Sequence, residues 1–268
     1  MLAPLTGVRN KIKRADNHLS ELKAAIDRWG TAKDENNLFR IYHQPERGQM
    51  VLRHGEVAPN DPDWPLIVGD FAHNLRSALD HLVCQLAILN GNDISCCDKT
   101  FFPICIGKPD FAKAEKMVKP LISPEAFTDI EALQPYKTAN ISGKQPTSST
   151  LWIISRLDIL DKHRMLVVVG KFFRTIDLCY ALNTGDPVKV DVDDTWRPLE
   201  DGARIASIDL TKLSLGPEDK MRAQGGTEVQ VFISETGCGC DGLEVGIALV
   251  PCIQYVSNLV DLFEAKFF

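Results

Sequence analysis

The chain lacks several of the patterns by which function is most often read from sequence. No stretch reaches 18 uninterrupted apolar residues, which argues against a membrane span. There is no HExxH or ExxH spacing and no CxxC pair, so the commonest zinc-site patterns are missing. "GCGCDG" at 237–242 has the glycine content of a phosphate loop but no Lys-Ser/Thr after it. Basic charge is also short: 30 Lys and Arg against 36 Asp and Glu leave −6, which disfavours a broad nucleic-acid-binding surface. The first residues, "MLAPLTGVRNKIKRADNH", carry no long apolar run with a small-residue cleavage site. The eight cysteines (84, 96, 97, 105, 179, 238, 240, 252) follow no regular framework. Reduced thiols and a cytoplasmic location are the resulting expectation. There is no internal repeat and no low-complexity segment.

What is present is an ordinary globular composition. The chain has 268 residues, 44% of them hydrophobic and 25% charged, enough to bury the core of one large domain or two smaller ones. Val8, Ile12, Ala15, Leu19, Leu22 and Ile26 recur at helical spacing, predicting a helix over 6–29 that ends at Gly30. "LFRIYHQPERGQMVLRHGEV" alternates around Pro-Glu-Arg-Gly and predicts a hairpin. A Pro-rich connector leads to a helix over 65–90, whose Val68, Phe71, Leu75, Leu79, Leu82, Leu86 and Leu89 lie within about 40° of one line. Shorter helices are predicted at 108–119 and 124–134, with a loop over 138–149 and a helix over 149–164. Beyond Arg164 come short β-rich runs, the last of them "LEVGIALV", and then a closing helix through "CIQYVSNLVDLFEAKF". The expected architecture is α+β. Residues 1–165 form a helical domain with a small hairpin, and 166–268 a mostly antiparallel sheet region with a C-terminal helix.

The chemistry-bearing residues concentrate in "FAHNLRSALDHL", 71–82. Asp70, His73, Ser77, Asp80, His81 and Cys84 fall between about 120° and 240° from Leu75, with Arg76 and Asn74 on the flanks. Lys and Glu, which dominate solvated faces, are absent there, so this side suits a second packed layer. "RLDILDKHR" offers one: Ile153, Ile154, Leu157 and Leu160 set its apolar stripe, and Asp161 and Arg164 fall within about 40° of its centre. Charges in that position require partners. The expectation is contact between the two helices, with Asp80 or Arg76 bonded to Asp161, His163 or Arg164. Such a cluster either locks two helices as a scaffold or perturbs pKa values as chemistry requires.

"RADNHLSEL", "VGDFAHNLRSALDHL", "FFPI", "LQPY" and "LDILDKHR", in this order across residues 12–166, resemble a widespread set of bacterial proteins of about 250 residues that carries no assigned activity. The resemblance implies a shared site at His18, Asp70, His73, Asn74, Arg76, Asp80, His81, Asp161, Lys162, His163 and Arg164. Arg76-Ser-Ala-Leu-Asp-His81 is also similar to the Arg-x4-His motif of HEPN-domain ribonucleases. That resemblance implies a HEPN-like helical bundle, a homodimer, and RNA or a nucleotide as partner. Cleavage would need no metal: Arg76 would hold the scissile phosphate and His81 would help activate the 2′-hydroxyl. Asp80, His73 and Asn74 join them as catalytic candidates, supported by His18, Asp70, Asp161, His163 and Arg164. Ser77 departs from the usual Asn, Asp or His after the arginine, and Arg76 and His81 point about 140° apart on a helix.

A second chemistry is a metal-dependent hydrolase or oxygenase, with a divalent ion held by Asp80, His81, Asp161 and His163. A four-thiolate zinc site from Cys96-Cys97 and Cys238-Gly-Cys240 is a further option. A non-catalytic binding or scaffold protein completes the alternatives.

Overall fold

The computed structural model describes residues 5–34, 39–44, 49–54, 63–166, 168–181, 187–188, 191–192, 197–198, 202, 204–209, 211 and 222–268. Two compact units interleave along the chain, Met1–Ala24, Pro62–Val168 and Ile233–Phe268 making the first, Ala25–Asp61 and Val169–Phe232 the second. This partition differs from a single break after residue 165, because the closing helix joins the helical unit.

The helical unit is built around α2 (Asp63–Leu89), which packs against α6 (Thr150–His163) and α7 (Val245–Phe267); these two also touch each other. Asp63 and Pro65 in the first turn of α2 favour initiation, an acid at the positive helix end and a proline where its missing N–H costs nothing. The predicted stripe is buried from Val68 to Leu86, but Leu89, at the C-terminal end of the helix, is exposed. Burial extends past that stripe to Gly69, Ala72, Ala78 and Ala87, small residues that let neighbours approach from other sides. Leu151, Ile154 and Leu157 of α6 and Leu249, Val256, Val260 and Phe263 of α7 complete this core. α1 (Thr6–Asp34) contributes Val8, Ile12, Ala15 and Leu22, and Arg9 ties it to Asp261 and Glu264 of α7. α1 runs through Gly30, since a helical glycine costs only about 1 kcal/mol against alanine.

Two local expectations are corrected. Residues 138–149 are not one loop: α5 (Pro135–Ser142) follows α3 (Lys108–Val118) and α4 (Pro124–Ala132), and a 3-10 turn spans Pro146–Ser148. Gln134 starts α5 ahead of Pro135, and Gly143, at φ 69°, ends it in the left-handed region that glycine tolerates. "LEVGIALV" is not a strand, because α7 begins at Val245 with the Glu244 side chain accepting from Ile247 N. A short apolar run fits both periods, and the cap decides for helix. α7 is also long and apolar enough to cross a membrane by composition, yet one face of it is core.

Cysteine pairing departs from expectation too. Cys84 of α2 is bonded to Cys97 in a 3-10 turn, Ile94–Lys99, that packs on the end of α2. The reading of all cysteines as reduced thiols therefore fails at this pair, and Cys97 is not available to a four-thiolate site.

In the second unit, β1 (Phe39–Gln44) and β2 (Gln49–His54) pair antiparallel, Ile41 opposite Leu52, as the alternation predicts. The Pro-Glu-Arg-Gly turn lies outside the described residues. β2 also pairs with β7 (Arg204–Asp209), which pairs with β5 (Asp191–Val192). In a second sheet β3 (Val168–Ala181) pairs antiparallel with β4 (Pro187–Val188) and β6 (Arg197–Pro198), and β8 (Arg222–Ile233) pairs with β3. The chain is thus broadly α+β and mostly helical, with antiparallel sheet.

Candidate functional site

The α2–α6 seam gathers one part of the polar set. Gly69 sits where α6 crosses α2, and a Cβ there would lie 2.1 Å from an Asp161 carboxylate oxygen. The absent side chain is what lets Asp161 rest on the α2 backbone. One turn on, His73 Nδ1 is 3.0 Å from Asp158 Oδ1, and Lys162 Nζ donates to Asp158 Oδ2 at 2.6 Å. Asp158 is 3% exposed, while the His73 and Lys162 side chains are about half-exposed. A buried carboxylate is tolerated when both oxygens are hydrogen-bonded to cationic or donor groups. The neighbouring Asp161 carboxyl is pushed above its ordinary value of 3.8, chiefly by burial and then by the charges of Asp70 and Asp158. Asp70, on the exposed side of α2, contributes its carbonyl to Asn74 Nδ2 at 2.8 Å, so the buried Asn74 is held within its own helix.

The other sequence-predicted residues are placed elsewhere. Arg76 Nη2 lies 2.9 Å from Asp80 Oδ1, which also accepts from Phe102 N at 2.8 Å. Asp80 is therefore an anchor for the "FFPI" segment. Burial raises its carboxyl above the ordinary value, against the opposing pull of Arg76 and the Phe102 N–H. His81 is exposed on the side facing α1, where a Cβ on Gly7 would come 3.8 Å from its Nδ1. His18 is buried, with Nδ1 3.3 Å from Glu21 Oε2 of the same helix. His163 is exposed. Arg164 does not reach α2: it makes a two-pronged pair with Glu235, at 3.2 and 2.6 Å, and Glu235 is 1% exposed.

The expected bridge from Asp80 or Arg76 to Asp161, His163 or Arg164 is thus replaced by His73–Asp158. Helical angles rank side chains around one axis but do not set the rotation at which two helices meet. Asp80, His81, Asp161 and His163 do not converge, and among the described residues no group of three or more His, Cys, Asp or Glu is arranged to hold a metal ion.

Three working residues escaped the sequence reading. Asp158 is one; its signal was the i, i+4 spacing to Lys162. Glu235 is the second, with no local signal. The third is Gln134, fully buried, whose Oε1 accepts from Cys105 N at 3.0 Å and whose Nε2 donates to Pro103 O and Ile130 O at 2.8 and 3.0 Å. Asp80 and Gln134 together hold the backbone of "FFPIC" from two sides. These bonds tie "FFPI" to α2 through Asp80 and to "LQPY" through Gln134.

No protein-family model, no curated protein and no solved structure matches this chain.

Proposed function

We propose that the helical unit is a proton-transfer catalyst with His73 as its general base. The observation that carries this reading is a half-exposed imidazole whose Nδ1 lies 3.0 Å from a buried carboxylate, Asp158. A carboxylate so placed accepts a hydrogen bond from Nδ1–H and leaves Nε2 bare to take a proton. It then stabilises the imidazolium that forms. Asp161, one turn from Asp158, is a second carboxyl at the seam, raised above its ordinary value chiefly by burial. Asp70, Asp158 and Asp161 collect negative charge here, which suits a neutral or cationic substrate and repels a phosphate-rich one.

Ribonuclease action by Arg76 and His81, with RNA or a nucleotide bound to a HEPN-like homodimer, is the second reading. The exposure of His81 favours it, and the engagement of Arg76 with Asp80 weighs against it.

Both are tested by assaying the purified chain on single-stranded RNA and on a panel of neutral and cationic ester, amide and glycoside substrates. Turnover from the panel, lost in His73→Ala at unchanged melting temperature, is the expected result. RNA cleavage lost in Arg76→Ala and His81→Ala but kept in His73→Ala replaces the first reading with the second. No turnover anywhere, with His73→Ala melting lower, makes the seam architecture.

A further inference from the structure

The loop between β8 and α7 carries two cysteines that the proposed acid–base site does not use. Cys238 and Cys240 are both buried, and their sulfurs stand 3.1 Å apart. Backbone bonds from Ile233 N to Leu243 O (3.0 Å), Gly242 N to Ile233 O (2.8 Å) and Cys238 N to Glu235 O (3.2 Å) close the loop at its mouth. Gly239, at φ 84°, makes the reversal between the two cysteines, and a Cβ there would lie 1.9 Å from the Thr147 carbonyl oxygen. Only glycine fits that place, so the two sulfurs are held together by the backbone.

We propose that Cys238 and Cys240 form a redox-active dithiol, a modification site that hydrogen peroxide converts to a disulfide within the loop. Cys240 N donates to Cys238 Sγ at 3.3 Å, and the Cys240 thiol is close enough to donate as well. These bonds hold the Cys238 thiol down to about 7, while Cys240 is pushed up, which divides the roles into nucleophile and resolving thiol. The Cys238 thiolate attacks one peroxide oxygen. An S–O bond forms, the O–O bond breaks, and hydroxide leaves as water with a solvent proton. Cys240 then attacks the Cys238 sulfur. The S–S bond forms, the S–O bond breaks, and the Cys240 proton leaves with the oxygen as a second water. Two electrons from the thiols reduce one peroxide. Thr236, Gly237, Asp241 and Gly242 on either side are exposed, so a small oxidant has little protein to cross. Cys252, in α7, is not the partner: it is buried, pushed up to about 12, and donates to Ala248 O at 3.3 Å.

The test is peptide mapping of the full chain after dilute hydrogen peroxide, with thiols alkylated after denaturation. The expected product is a Cys238–Cys240 disulfide, about 2 Da lighter than the dithiol and retained in Cys252→Ser. In Cys240→Ser the reaction stalls at a Cys238 sulfenic acid captured by dimedone, and in Cys238→Ser no adduct forms at Cys240. Full alkylation of Cys238 and Cys240 in oxidised wild type, with Cys96 or Cys105 modified instead, overturns the proposal. Should either variant not fold, the wild-type and Cys252→Ser maps alone decide it.

Discussion

Asp158 and His73 make unequal demands on the fold. Asp158 is buried, so removing it empties a core position and leaves His73 and Lys162 without their shared acceptor. Asp158→Ala is expected to cost about 1–3 kcal/mol in denaturant unfolding. His73→Ala leaves Asp158 with Lys162 and removes a half-exposed ring, and should cost under about 1 kcal/mol. Asp161 gives a pH signature. Its folded carboxyl titrates above the ordinary 3.8, so it favours the fold while protonated, below that value, and the contribution is lost as pH rises through the raised one. Asp161→Asn is uncharged throughout. Melting curves of the two proteins should coincide in acid and separate towards neutral pH, with the variant higher. The sequence placed Asp161 on a core-facing stripe, and that much was legible. It did not single out Asp158, since one position on a helical wheel looks solvated until the crossing helix is known.

Between elements, the contact of α2 with α6 depends on Gly69. Gly69→Ala drives a methyl into the Asp161 carboxylate, which must move because its end is freer than the α2 backbone. The expected cost is about 1–2 kcal/mol. In an Asp161→Ala background most of it should vanish, a coupling that a double-mutant cycle on urea unfolding measures directly. Element existence was mostly legible: α2, α3, α4, α6 and the β1–β2 pair lie close to where periodicity and turn residues put them. α5 and the start of α7 were not: the Gln134 side chain makes no cap bond to α5, and the Glu244 cap acts through Ile247 N, inside the helix it starts. The contact of Phe102 and Cys105 backbone with Asp80 and Gln134 was equally invisible, since it joins side chains to main chain across distant segments.

Over the whole molecule, the interleaved units explain why a linear division fails: α7 returns after the sheet strands to complete the core of α2 and α6. One covalent link lies within the helical unit. Cys84–Cys97 closes a loop with a sequence separation of 13, a constraint worth roughly 3 kcal/mol in the unfolded chain. Reduction, or Cys97→Ser, should lower the melting temperature by a few degrees in a chain of this size. Calorimetry with and without a thiol reductant checks it; an unchanged transition would mean that the pair adds nothing to stability. With the helical unit held by its core and this link, the α2–α6 seam can keep a half-exposed histidine fixed without depending on it for stability. The most direct measurement of that claim is long-range ¹H–¹⁵N NMR of the His73 ring. The account predicts a neutral ring protonated at Nδ1 with Nε2 bare, and loss of that single tautomer in Asp158→Ala. A neutral ring protonated at Nε2, or one unchanged by Asp158→Ala, would contradict it.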